Sequence, residues 1–208
     1  MHDNDAARPD HERLFQLASE QAGYFTTAQA RRCGFSHALV GHHARAGGRV
    51  LRVRRGLYRF RPDPSSPRED VFAAWLSVDG GAGEAAVSHD SALELLGLSD
   101  VVPDAVHVTI PRSQRYRPAP PGVRVHTTTR TLAPGDVVIR DGIRVTAVER
   151  SIVDAAQLGT APEQVIAAAT QAVDRGMATA GQLLAAARER GGRVERLVRQ
   201  AFPDRTRA

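Results

Sequence analysis

From His11 to Gln21 the apolar residues Leu14, Phe15, Leu17 and Ala18 fall at helical spacing, and Gly23 closes the segment. A second, short helix is predicted from Thr26 to about Cys33. Thr26 caps its start, Gln29 reaches back to form a capping box, and Gly34 stops it. Ser36 is a good N-cap for a third helix running to about Ala46, ended by Gly47-Gly48. On that helix Leu39, Val40, His43 and Ala44 are placed inward; His37, Gly41, His42 and Arg45 point away from the core. Gly41 costs about 1 kcal/mol against alanine; it either allows close approach of a ligand backbone or is simply a weak point. The period then changes from helical to two. Val50-Leu51-Arg52-Val53-Arg54 and Leu57-Tyr58-Arg59-Phe60 flank Arg55-Gly56, predicting a hairpin with one apolar and one arginine face. Three helices and a basic hairpin read as a winged helix-turn-helix over residues 11–61. Its third helix suits a major groove and its wing the backbone or minor groove.

Pro62-Asp63-Pro64-Ser65-Ser66-Pro67 reads as a linker, because three prolines in six residues cannot continue a helix or a sheet. Beyond it, residues 68–202 are expected to form a second domain. Helices are predicted at about 69–78, 88–96, 148–157, 162–175, 179–190 and 193–201, and strands at 106–110, 123–127, 137–139 and 143–146. Asp141-Gly142 marks a turn between the last two strands. Segregated elements with a helical end argue for an α+β fold, a mixed α/β C-terminal domain following the winged helix-turn-helix.

Charge sharpens this division. Between Glu20 and Asp63 there is no acidic residue, while Arg31, Arg32, Arg45, Arg49, Arg52, Arg54, Arg55, Arg59 and Arg61 accompany His37, His42 and His43. The chain carries +5 overall, so the residues outside this window sum to −4. One-sided charge on a folded module suits a polyanion, whose counterions are released when arginines neutralise phosphates. The alternative is a solvated basic face in an arginine-rich protein. A second basic patch, Arg112, Arg115 and Arg117 around Tyr116, suits a nucleic acid, a partner protein or solvent alone.

Candidate chemistry narrows the field further. All 28 basic residues are arginine, so a P-loop lysine, a Schiff-base lysine and lysine-dependent nuclease sites are excluded. A lone cysteine, Cys33, excludes an internal disulfide and a cysteine-rich zinc site; packing between the first helices is its expected role. No apolar run reaches the roughly 18 residues of a membrane span, and the polar start is unlike a signal peptide, so a cytoplasmic protein is expected. Ser88-His89-Asp90 places three catalytic residue types side by side, yet neighbours on a helix diverge; Ser88 reads as an N-cap and His89 as a structural histidine. His107 and His126 sit on separate strands, and a metal site there lacks further ligands that the sequence can place. Arg150 and Asp154 form an i,i+4 pair. No catalytic residue, cofactor or metal site is expected, and nothing demands an enzyme.

Several motifs together resemble the AbiEi-like antitoxins. Phe25-Thr26-Thr27-Ala28-Gln29-Ala30, Ser36-His37-Ala38-Leu39 and the wing Arg52-Val53-Arg54-Arg55-Gly56-Leu57-Tyr58-Arg59 resemble that family's N-terminal module. Further on, Ser88 to Leu93, Leu96 to Asp100, Val106 to Pro111, Gly142 to Thr146 and Glu149 to Asp154 resemble its C-terminal domain. Leu57 stands where valine is more usual in the family. The resemblance covers about residues 11 to 175 and implies a type IV antitoxin that represses its own operon, encoded beside a nucleotidyltransferase toxin. Implied partners are double-stranded DNA at its own promoter and the cognate toxin, met directly or only functionally, with no membrane. Arg31, Arg32, Arg49, Arg52, Arg54, Arg55 and Arg59 are then expected at phosphates or the minor groove. Ser36, His37, His42 and Arg45 fall on the groove-facing helix. The competing readings are an antitoxin that binds its toxin through the basic face or the C-terminal domain, and a nucleic-acid-processing enzyme.

Overall fold

The computed structural model describes residues 8–45, 47–61 and 68–203, which form two compact units, one up to Ala85 and one from Ala86 onward. The segment read as a linker, 62–67, lies outside the described residues. The architecture is α+β.

In the first unit α1 (His11–Ser19) is followed by β1 (Tyr24–Thr26), α2 (Thr27–Arg32) and α3 (His37–His43). The hairpin β2 (Val50–Arg54) and β3 (Leu57–Phe60) comes next, then α4 (Glu69–Asp79). The capping box forms as the sequence dictates: the Gln29 amide donates to Thr26 Oγ1 at 3.2 Å and the Thr26 amide to Gln29 Oε1 at 2.8 Å. Ser36 caps α3 by accepting from the Leu39 amide at 3.1 Å. Gly34, at φ 81°, supplies the left-handed residue in the turn between α2 and α3. Leu14, Ala18, Phe25, Ala30, Cys33, Phe35, Val40, Val50 and Tyr58 form the core of this helix-turn-helix. The third helix is shorter than its cap and glycines suggested, ending at His43.

The strand β1 was not legible in the sequence. It has three residues, all buried, and no alternation to mark it. It pairs antiparallel with β3, giving the sheet order β1-β3-β2 and making β3 central. This corrects the expected two-faced hairpin. Phe25 and Tyr58 face the helical core, while α4 packs against β1 and β3. Leu57 is therefore buried and Arg59 half-buried, and the register shift between Arg52 and Arg54 leaves Leu51 40% exposed.

The second unit holds a mixed sheet in the order β6-β5-β4-β8-β7, from β4 (Ala86–Val87), β5 (Val106–Pro111), β6 (Val123–Thr128), β7 (Val137–Arg140) and β8 (Ile143–Thr146). The pairs β5–β6 and β4–β8 are parallel; β4–β5 and β7–β8 are antiparallel. Asp141 and Gly142 both take positive φ, 48° and 80°, in the two-residue β7–β8 turn. The helices are α5 (His89–Leu96), α6 (Val148–Leu158), α7 (Pro162–Asp174), α8 (Ala180–Arg190) and α9 (Gly192–Arg199). α6 packs on α5, α7, α8 and α9, with Ile152 fully buried at its centre. The two-residue β4 also escaped sequence reading, being too short to carry a period.

Candidate functional site

The expected DNA-facing residues divide by how the fold uses them. Arg31, Arg45, Arg49, Arg52 and Arg55 are exposed and carry no side-chain partner among the described residues. His37 and His42 are exposed on α3 beside Gly41, and Val40 is buried behind them, as helical spacing requires. Ser36 is exposed but its hydroxyl is spent on the cap. Arg32 donates to the Gly81 carbonyl at 2.8 Å. Arg54 is half-buried, and its Nη1 is buried without a hydrogen-bond partner among the described residues.

Arg59 is held inside the fold. Its Nη2 meets Glu69 Oε1 at 2.7 Å, its Nε donates to the Ala22 carbonyl at 3.2 Å, and its guanidinium lies 5.2 Å from the Tyr24 ring centre. The register Tyr24↔Arg59 puts these two side chains on the face that α4 covers. Burial raises the Tyr24 hydroxyl pKa, with Arg59 opposing it. The arginines open to solvent therefore lie on α2, at the end of α3 and on the hairpin. Chemically this is a solvent-facing basic surface, with a short helix whose outward face offers histidine and glycine.

The second unit assembles a different cluster. On β5, His107 and Thr109 are two residues apart and share a face of the sheet, and parallel pairing sets His126 of β6 beside Thr109. His89, the first residue of α5, packs onto the same place: its ring stacks on His126 at 3.7 Å between centroids and lies 5.7 Å from His107. His126 Nε2 and His107 Nδ1 are 3.2 Å apart. His107 Nε2 lies 3.7 Å from Asp104 Oδ1, beyond hydrogen-bonding distance. Ser88, expected to cap α5, occupies the N-cap position without capping. Its hydroxyl instead accepts from Thr109 Oγ1 at 2.8 Å and bonds His89 Nδ1 at 2.9 Å. Asp90 turns away and accepts from Thr160 at 2.6 Å, so Ser88, His89 and Asp90 do not converge.

Burial holds these imidazoles neutral. Desolvation, reinforced by the neighbouring histidines, drops the His89 pKa to about 2 and that of His126 to about 4; burial also lowers His107. The cluster opens onto a polar cleft of 610 Å³ lined in part by Thr127, Arg130, Arg150, Asp154 and Arg190. Asp154 is ion-paired to both Arg150 and Arg190. Sequence reasoning kept His89 apart from His107 and His126 because 18 residues and a helix–strand change separate it from the nearer one. The positive φ of His89, 53°, is a tertiary feature with no sequence signal.

A helix-turn-helix with an arginine-lined hairpin, followed by an α+β unit, defines the class of protein. Residues 12–61 match the family described as "Transcriptional regulator, AbiEi antitoxin", so the N-terminal module is similar to that of these regulators. Over 91% of this chain and 75% of the other, the fold is similar to the crystal structure of the RV2827C protein from Mycobacterium tuberculosis, at 18% identity and a TM-score of 0.56. No curated protein matches the sequence. No helix of the described residues is long and apolar enough to cross a membrane.

Proposed function

We propose that the protein is a DNA-binding antitoxin that represses its own operon in the cytoplasm and counters a nucleotidyltransferase toxin encoded beside it. The observation that carries the DNA-binding part is the set of solvent-facing arginines on α2, α3's end and the wing, with no acidic residue in residues 21–62 to compete for them. In this reading Arg52 and Arg55 place the wing along the phosphate backbone. Arg31, Arg45 and Arg49 hold further phosphates beside the groove-facing helix, where His37 and His42 reach the bases. The toxin's identity rests on the antitoxin family matched by the N-terminal module.

Titrating the full chain onto its own promoter fragment at several salt concentrations tests the interface. Every phosphate that a variant leaves unneutralised should reduce the slope of log K against log salt by about 0.9. Arg52→Gln with Arg55→Gln is expected to lower affinity on all sequences and to flatten that slope by up to about two such steps. Binding with an unchanged slope would remove the wing from the interface. Co-expression with the adjacent gene's product tests the toxin: restored growth supports the reading, and continued toxicity rejects it.

A further inference from the structure

We propose that His89, His107 and His126 form a binding site for a divalent transition-metal ion of the zinc class, three protein ligands with an open position facing the polar cleft of the second unit. The site uses no residue of the DNA-binding face.

The geometry is that of converging ligands with part of their supporting shell in place. Two nitrogens bound to one tetrahedral zinc, each at about 2.0–2.1 Å, stand about 3.4 Å apart. His107 Nδ1 and His126 Nε2 are 3.2 Å apart. One ligand atom from each of the three histidines falls within 4.8 Å of the others, so His89 must close by up to about 1.4 Å, through rotation of a ring that now stacks on His126. The outer nitrogen of His89 is already engaged in the manner of a ligating imidazole. Ser88 holds His89 Nδ1, and Thr109 in turn holds Ser88, which leaves Nε2 of His89 for the ion. His107 presents Nε2 to the Asp104 carboxylate at 3.7 Å, within reach of the carboxylate–histidine–metal arrangement once the exposed Asp104 side chain turns in toward the ring. That nitrogen is buried and has no hydrogen-bond partner among the described residues, a cost the fold carries without return unless the ring serves some other purpose.

Ligand type argues for the metal class. Three imidazoles with no carboxylate among the donors suit zinc, copper, nickel or iron(II) rather than magnesium or calcium. Three protein ligands leave a coordination position free, and here it faces Thr127, Arg150 and Arg190. The cleft also holds Glu189 and Asp154, the latter ion-paired to both guanidinium groups, so water is the ligand that the open position would accept.

Zinc chloride titrated into the chelator-stripped full chain, followed by isothermal calorimetry and by competition with a chromophoric chelator, provides the test. One equivalent is expected to bind at micromolar affinity or tighter, and cobalt(II) in its place should show the intense visible bands of a four-coordinate ion. His126→Gln, at the cluster's half-exposed member, is expected to weaken binding at least 100-fold while the far-ultraviolet circular dichroism stays native. His107→Gln should do the same. In the first unit the His43 ring lies 5.8 Å from those of both His11 and His42; this group serves as control, and His43→Gln should leave the stoichiometry at one. Failure to bind zinc, or binding that survives His126→Gln and disappears with His43→Gln, would overturn the proposal.

Discussion

Arg59 of β3 is ion-paired to Glu69 of α4 at 2.7 Å, with side chains only 16% and 24% exposed. The wing thus contributes one arginine to the fold itself. Glu69 lies just beyond the acid-free window, and α4 brings it to the face of the sheet that the wing's apolar pattern left unassigned. Arg59→Gln is expected to destabilise the protein by about 1–3 kcal/mol, since it breaks the half-buried ion pair with Glu69 and removes the bond to the Ala22 carbonyl. Urea denaturation checks this. The salt slope of DNA binding should move much less for Arg59→Gln than for Arg52→Gln, and an equal change in slope would return Arg59 to the interface.

Much of the first unit was legible because its signals are local. Thr26 with Gln29, Ser36, Gly34 and Arg55-Gly56 fix caps and turns within four residues of themselves, and the structure uses each as read. The strand β1 and the burial of Arg59 were not legible, because both depend on α4 packing against a sheet whose third strand carries no period. The histidine cluster shows the same limit. His107 and His126 were visible on neighbouring strands, but His89 reaches them only through the β4–α5 connection and the central place of β4 in the sheet. Side-chain type is in the sequence; convergence is set by strand order.

Gly41 sits on the exposed face of α3, and a Cβ built there meets nothing within 4 Å. Its backbone is helical, so alanine brings no strain. Gly41→Ala is therefore expected to stabilise the free protein by about 0.5–1 kcal/mol, mostly by restricting the unfolded chain. If the groove-facing helix approaches DNA closely at this residue, the added methyl will weaken promoter binding in the same variant. A thermal melt and a binding titration on one sample separate the two effects; a fall in the melting midpoint would contradict the open space around Gly41.

The histidine cluster also sets an acid limit. His89 and His126 have folded-state pKa values of about 2 and about 4, while in the unfolded chain each titrates at about 6.5. Below about 6.5 the unfolded state therefore takes up protons that the folded state refuses, and stability falls as pH falls. For one such histidine the loss between about pH 7.5 and 5 is about 2 kcal/mol, reduced where water reaches the ring, as at His126. This window lies above the ordinary range of aspartate and glutamate; Asp154, whose pKa burial raises, contributes with the opposite sign. Urea unfolding of the chelator-treated protein across it should show the midpoint dropping steadily toward acid. His126→Gln should flatten that dependence by removing one of the titrating groups, even where its own stability at neutral pH is lower. A wild-type profile without slope between about pH 7.5 and 5 would mean that the folded cluster takes up protons as readily as the unfolded chain.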